Sequence, residues 1–386
     1  MASSGGKSYL NVPGTKIGLS GVREWCEQGN GRLIATMPSR ALELTRPRLF
    51  GPIARPIVVG RAQLPDRYIA ELFNCQILGG SRLIFIDDKL ALHDELALPY
   101  ADQYGLKLVQ HFKMKEASRQ IGRHVDTGIV ISCDYDQNYF HWMIECLPKL
   151  LMVDDYAELR GLPLIIDSGL HENMARALQF LNKSNRPIVT VGRGEVVSVG
   201  RLIVPSDIHR LLDNYDYPIS YRRDCMFDAD AVRQVSAALL DAVPSINMPS
   251  GRGIYVSRRD AKYRKPINEQ ALIELVVGAG FDVVDMENLS LEQQICLFRD
   301  ASFVVSPTGA SCTNLIFCRP GTNLLILTSN DPNSNFQFFH QIAEAVCCKV
   351  TYLVSQRDRA GFGPALHGDY IVDPQVFAAA LSELSV

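Results

Sequence analysis

The chain has 386 residues, 47% of them apolar and 21% charged, with a formal net charge of −3. This length exceeds one ordinary core and suits two domains, and the near-neutral balance excludes the broad positive footprint of a nucleic-acid-binding protein. No apolar run reaches the ~20 residues that cross a bilayer, and the N-terminal MASSGGKSYLNVPG lacks the apolar stretch of a signal peptide.

In chain order, the first 55 residues are rich in Gly, Pro and Arg without a sustained period, and irregular structure is expected there. Short β-rich runs follow at 56–59, 82–86, 128–132, 163–166, 187–191 and 201–204, with helical patterns at 139–154, 172–181 and 228–242. The stretch VPSINMPSGRG (243–253) holds two Pro, two Gly and two Ser and marks a domain boundary. Beyond it strands and helices alternate. Strands are expected at 253–257, 281–285, 303–306, 323–327 and 350–354. Helices are expected at 267–279, 291–300, 312–318, 335–345 and 374–384. Near-continuous apolar strands in strict alternation predict a parallel sheet covered on both faces, and such sheets bind ligands at the carboxyl ends of their strands. The ten cysteines form no CxxC pair and sit mostly in apolar runs, which reads as buried free thiols in a reducing compartment.

Three stretches carry chemistry. IYVSRRDAKYRKPINE (254–269) releases five cations, Arg258, Arg259, Lys262, Arg264 and Lys265, at the carboxyl end of a strand. Arginine presents a planar fork of donors matched to phosphate oxygens. In SFVVSPTGASCTNLIF (302–317) an apolar strand meets a small-residue turn that opens a helix. Gly309 and Ala310 admit close backbone approach, Thr308, Ser311 and Thr313 supply hydroxyls, and a helix start favours an anion. The turn lacks the GK[ST] of a Walker loop. In DYDQNYFHWMIECLPKLL (134–151) Asn138 is placed to cap a helix, and His141 and Glu145 lie four apart on one face. A carboxylate there orients the ring and raises its basicity; two such ligands alone are weak evidence for a metal. Each stretch taken singly is also what an ordinary turn or helix end looks like. Of the lesser signals, Ser290 with Gln293 forms a capping box, and Glu287 stands past a strand end where acidic residues meet ribose hydroxyls. His209 and Arg210 follow a strand ending at Pro205, and the acidic runs 134–137 and 213–218 are turns whose spacing fits no EF-hand.

In this order the three stretches resemble glycosyltransferase family 61. The resemblance rests on NYFHWxxExLPKL at 138–150, YVSRR at 255–259 with Arg264 and Asn268-Glu269, and the run 287–321 with LSxEQ, FRDA and VVSPTGASxTNLxFxxPG. It spans about 134–327. His141-Trp142 and Leu147-Pro148 bring it nearest to the bacterial capsule and polysaccharide branch. The family implies an α/β fold of the GT-B type, two Rossmann-like lobes with a cleft between them. It implies an acceptor-side lobe over 1–243, with 1–55 as an irregular extension, and a nucleotide-sugar lobe over 251–386. It implies inverting, metal-independent transfer, without a cofactor, from a nucleotide-sugar (UDP by family breadth) to a polysaccharide or glycolipid acceptor. The expected location is the cytoplasm, with peripheral association at the inner face of the membrane. On the matched positions Arg258, Arg259, Arg264, Glu287, Thr308, Gly309, Ala310, Ser311, Thr313 and Asn314 bind donor. His141 serves as base or acceptor-orienting group with Glu145 as partner or competitor, and Asn138 and Trp142 face the acceptor. The chain departs from the family at Thr308, where many members carry His, and at Ser311, where they carry Gly. Two other readings stand beside this one: a non-catalytic nucleotide- or glycan-binding assembly partner, and a sugar-nucleotide epimerase.

Overall fold

A computed structural model describes residues 8–12, 15–57, 59–88, 90–93, 121–211, 225–244, 246, 253–332, 334–358 and 368–384. In chain order the strands are Ser8–Val12 (β1), Thr15–Gly21 (β2), Arg32–Met37 (β3), Ala41–Leu44 (β4), Arg48–Phe50 (β5), Gly60–Gln63 (β6), Arg67–Leu78 (β7), Ile84–Phe85 (β8), Leu90–His93 (β9) and Ile121–Val130 (β10). There follow Leu164–Asp167 (β11), Ile188–Val191 (β12), Val196–Pro205 (β13), Arg210–Leu211 (β14), Cys225–Met226 (β15), Gly253–Val256 (β16), Phe281–Val284 (β17), Phe303–Pro307 (β18), Asn323–Ser329 (β19), Lys349–Arg357 (β20) and Tyr370–Ile371 (β21). Contacts divide this mixed α/β chain into two units, Met1–Arg40 with Pro65–Arg210, and Ala41–Leu64 with Leu211–Val386.

The first unit is built on one sheet in the order β1-β2-β9-β8-β7-β13-β10-β11-β12, with β3 paired to β7. β13, β10, β11 and β12 run parallel, whereas β7 is antiparallel to β13. The carboxyl ends of β10 and β13 therefore deliver residues 131–134 and 206–207 to the same edge. Tyr68, Leu72, Ile77, Leu92, Ile165 and Leu202 belong to one buried core. The helical stretch from Tyr139 to Asp154 lies between β10 and β11, and Glu172–Leu181 lies between β11 and β12.

The second unit carries the order β17-β16-β18-β19-β20-β21, with β5 added beside β20. β16 to β20 are parallel. Chain order along these five strands reads 2-1-3-4-5, so the direction of winding reverses between β16 and β18, the place where doubly wound sheets open a ligand crevice. The alternation expected from sequence is present, including helices Leu291–Asp300 and Pro374–Leu384 and the capping box, in which Ser290 and Gln293 satisfy each other's backbone N–H. One helix differs: Ala310–Phe317 is a 3-10 helix rather than an α-helix over 312–318.

The expectation of irregular structure over 1–55 is corrected. β2 pairs with β9, β3 with β7 and β5 with β20, and these partners lie far along the chain. Such strands are set by what they pack against rather than by local propensity. Nor do the contacts change at a single cut near 243–253, most of which lies outside the described residues, as does 213–218. Helix Ala229–Ala242 groups with the second unit because Ser236 Oγ donates to the Ile316 carbonyl at 2.6 Å and Arg233 to that of Ala345 at 3.0 Å. Among the described residues no helix is long and apolar enough to cross a membrane.

Candidate active site

In the first unit the chain leaves β10 and turns into a helix at Asn138, whose side-chain oxygen accepts the Phe140 N–H at 2.9 Å. The first turn, Tyr139–His141, runs into a π-helical segment, Trp142–Cys146, and then into α-helix Leu147–Asp154. Single π-turns inside α-helices recur at functional sites. This one carries Glu145 and starts directly after His141, whose Nδ1 contacts a Glu145 carboxylate oxygen. The other oxygen of Glu145 accepts from Arg82 Nη2 at 2.9 Å, and Arg82 Nη1 contacts Asp207. Asp207 also pairs with Lys149 Nζ at 2.8 Å, and the Arg82 backbone N–H donates to Asp134 at 2.8 Å. One row of polar contacts thus runs Lys149–Asp207–Arg82–Glu145–His141.

Burial sorts the members of this row. The side chains of Glu145, Lys149 and Asp207 are 4%, 6% and 7% exposed, whereas His141 keeps 18%. The imidazole can therefore meet a substrate where the carboxylate beneath it cannot. Burial pushes the Glu145 carboxyl up, but Arg82 and then His141 outweigh it and hold the group below its ordinary value. Asp207 is depressed in the same way, burial being overcome by Arg82 and Lys149. The His141 ring packs beside Tyr135, centroids 5.2 Å apart, and edge-on to Phe140 at 5.3 Å.

Donor atoms of Cys133, His141 and Glu145 lie within 4.8 Å of one another, close enough to consider a metal. The set fits poorly. A divalent ion would displace the His141–Glu145 contact and sit beside the Arg82 guanidinium, whose charge already neutralises Glu145. Cys146, its thiol pushed well up by burial, donates to Cys133 at 3.5 Å.

In the second unit Arg258 leaves the carboxyl end of β16. Its backbone N–H donates to Glu269 at 2.8 Å, and Glu269 also accepts from the Tyr255 hydroxyl at 3.2 Å. The guanidinium donates through Nη2 to the Tyr263 carbonyl at 2.9 Å and lies directly on Gly309. A Cβ at 309 would stand 2.0 Å from Nη1 and 2.8 Å from Cζ. Gly309 has extended backbone, φ 174 and ψ 179, so space and not conformation requires glycine here. Burial pushes the Cys312 thiol up while the charges of Arg258 and Arg264 pull against it, and both charges also act on Tyr370. Both charges are therefore felt at one turn, and Arg258 lies against it. Arg264 itself has a left-handed backbone, φ 57. Among the described residues, Arg258 Nε, Ser311 Oγ and Thr313 Oγ1 are buried without a hydrogen-bond partner. Unpartnered donors thus stand with a guanidinium at the reversal between β16 and β18, an arrangement whose chemistry suits an anion.

The structure thus gathers Arg258, Arg264, Gly309 and Ser311, and in the other unit His141 and Glu145. The remaining expected residues lie as follows. Thr308, half-buried, donates its N–H to Leu327, and Ala310 opens the 3-10 helix. Arg259 and Glu287 are exposed, their backbone N–H groups taken by Ser257 and Asp285. Thr313 and Asn314 are buried; Asn314 donates to Gln294 at 3.0 Å, which makes it a packing residue. Asn138 is exposed and acts as the helix cap. Trp142, expected on the acceptor side, is fully buried with its indole N–H on the Met174 carbonyl at 3.0 Å, so it belongs to the core. Sequence reasoning missed Arg82, Asp134, Lys149 and Asp207. Lys149 alone left a signal, standing four residues beyond Glu145 on the same face.

Residues 139–325 match the family model for Glycosyltransferase 61. That match makes the protein a glycosyltransferase. The segment belongs to glycosyltransferase family 61; it contains His141, Glu145, Lys149, Asp207, Arg258 and Gly309, while Arg82 and Asp134 precede it. No curated protein matches the chain.

Proposed function

We propose that the protein is an inverting transferase of the GT-B type, moving a sugar from a nucleotide-sugar donor to a hydroxyl of a polysaccharide or glycolipid acceptor without a divalent metal. The second unit carries the donor, UDP-linked by the breadth of the family, and the first unit carries the acceptor. The protein works in the cytoplasm at the inner membrane face, in the making of a capsule-type polysaccharide.

His141 Nε2 takes the proton of the acceptor hydroxyl, whose oxygen forms the new bond to the anomeric carbon from the face opposite the phosphate. The anomeric carbon–oxygen bond to the diphosphate breaks, and the nucleoside diphosphate leaves with the electron pair. Arg258, Arg264 and the Ser311 hydroxyl hold the charge that develops on it, the task a metal performs in other transferases. Glu145 has one oxygen on Arg82 and the other on His141, so it serves as the orienting partner and His141 as the base. The observation that carries the reading is the Arg258 guanidinium seated on Gly309 at the winding reversal of a parallel sheet.

The test is a panel of UDP-, GDP- and CMP-sugars with mass detection of released nucleotide, run with and without glycan acceptors, in chelator and with manganese. Turnover that requires an acceptor and survives chelation supports the reading. Conversion of donor alone indicates an epimerase, and tight nucleotide binding without turnover indicates an assembly module. Activity that vanishes in chelator and returns with manganese overturns the metal-free scheme.

A further inference from the structure

We infer that Arg82 is a positioning residue: acting through Glu145, it fixes the tautomer of His141 and leaves Nε2 as the outward-facing proton acceptor. The inference deepens the transferase reading and rests on it for the meaning of that acceptor. Arg82 stands on the turn between β7 and β8, more than fifty residues before the helix it serves. It is not free to bind an anion, because carboxylates already claim it. Nη2 is on Glu145 at 2.9 Å, Nη1 is on Asp207, and its backbone N–H is on Asp134 at 2.8 Å. Asp207, which follows β13, is itself held by Lys149 at 2.8 Å. Lys149, Glu145 and His141 occupy one helix at intervals of four. Arg82 and Asp207 reach it from the turn after β7 and the turn after β13. The row therefore fixes the helix against the sheet edge and fixes Glu145 within the helix.

The consequence falls on the imidazole. A carboxylate kept ionised and pinned by Arg82 accepts the proton of Nδ1, and the hydrogen bond at one ring nitrogen decides which nitrogen stays bare. Without Arg82 the buried Glu145 has no counter-ion except His141, and its carboxylate is free to turn or to take up a proton. In either case the Nδ1–H tautomer loses its fixed acceptor.

The test is long-range proton–nitrogen NMR of the full chain labelled in histidine with nitrogen-15, at alkaline pH where the ring is neutral. Wild type is expected to show His141 chiefly as the Nδ1–H tautomer. Glu145→Ala is expected to abolish that preference. Arg82→Lys keeps the charge but not the two-pronged contact, and is expected to reduce it to a minority form. In the Glu145→Ala background Arg82→Lys is expected to change nothing further, because the effect passes through Glu145. An unchanged tautomer in Arg82→Lys overturns the inference, as does an equal effect of Arg82→Lys in both backgrounds. Should Arg82→Lys fail to fold by circular dichroism, Asp207→Asn loosens Arg82 from its other side and is expected to move the tautomer in the same direction; no movement there counts against the inference. The readout needs no substrate. A dependence on Arg82 with a silent donor panel removes the transferase reading alone, and turnover with an Arg82-independent tautomer removes the relay alone.

Discussion

Gly309→Ala tests the proposed anion site without deleting a charge. The new methyl would stand 2.0 Å from Arg258 Nη1 and 2.8 Å from Cζ. The backbone does not object, since φ is 174 and ψ 179, so the flexible guanidinium must withdraw. Losing glycine's freedom in the unfolded chain favours the fold by about 0.4–1 kcal/mol. The disturbed Arg258–Tyr263 contact opposes this by a comparable amount, about 1 kcal/mol. Stability is therefore expected to stay within about 1 kcal/mol of wild type. Ligand affinity is not so protected. A hydrogen bond to a charged partner is worth about 1.5–3 kcal/mol, so UDP binding is expected to weaken roughly ten- to a hundredfold. Titration calorimetry with UDP, and with inorganic pyrophosphate as the bare diphosphate, reads this directly. The same titrations on Arg258→Ala and on the double variant close a cycle. If the methyl acts by displacing Arg258, the double variant binds no worse than Arg258→Ala. Unchanged affinity in Gly309→Ala, or losses that simply add, would refute the placement of the diphosphate.

Other consequences are sharper in kind than in size. His141→Ala is expected to abolish acceptor-dependent turnover while UDP affinity stays near wild type; a loss of both would remove the separation of roles. Asp167 is buried, its carboxyl pushed up to about 7 by that burial and then by Asp136, against an ordinary value of about 4. The folded chain thus keeps a proton that the unfolded chain releases, and stability falls as pH rises from about 4 to 7, by roughly 4 kcal/mol if Asp167 acts alone. Asp167→Asn still accepts the Gly80 N–H, and its urea midpoint is expected to lose that decline. Asp207 has the opposite sign. Its folded value is depressed by Arg82 and Lys149 in spite of burial, so its stabilisation is complete above the ordinary carboxylate range of about 4 and is lost below it. An acid-unfolding scan of Asp207→Asn is expected to be flatter than wild type on that limb.

What could be read in the sequence follows the range of the forces involved. The second unit's alternation was legible because caps and periodicities are local: Ser290 and Gln293 announce helix Leu291–Asp300 within four residues. The strands before residue 55 were not, because β3 acquires its place from β7 and β5 from β20. β7 itself hid its period, since Tyr68 to Leu72 are all buried and show no alternation. The site divides in the same way. That Arg258 and Gly309 come together was legible because consecutive β-α units put their carboxyl ends at one edge. Arg82 was not, for a single arginine at a turn carries no pattern, and its partners Glu145 and Asp207 are 63 and 125 positions away. Trp142 erred the other way: it sits among functional residues in sequence, but the helix turns its indole inward.

Buried charge alone does not mark a functional residue, and the first unit contains the control. Arg186 has a fully buried side chain, donates through Nε to Asp154 at 3.1 Å and turns Nη1 to the carbonyls of Leu159 and Leu162. It closes the end of the same helix that begins at Tyr139, and its partners end in backbone. Arg82 is buried at similar cost, but its partners end in an imidazole that reaches solvent. Replacing a buried ion pair by apolar groups is often neutral or better for stability, while removing one partner costs about 3–5 kcal/mol. On stability alone the two arginines are therefore alike, and Arg186→Met and Arg82→Gln are both expected to lower the urea midpoint. They part at His141. Arg186→Met, provided it folds, is expected to leave the Nδ1–H tautomer and acceptor-dependent turnover near wild type, whereas Arg82→Gln disturbs both. If the two variants lowered turnover only in proportion to lost stability, the row of ions would be a structural brace, and the orientation of His141 would have to come from Glu145 alone.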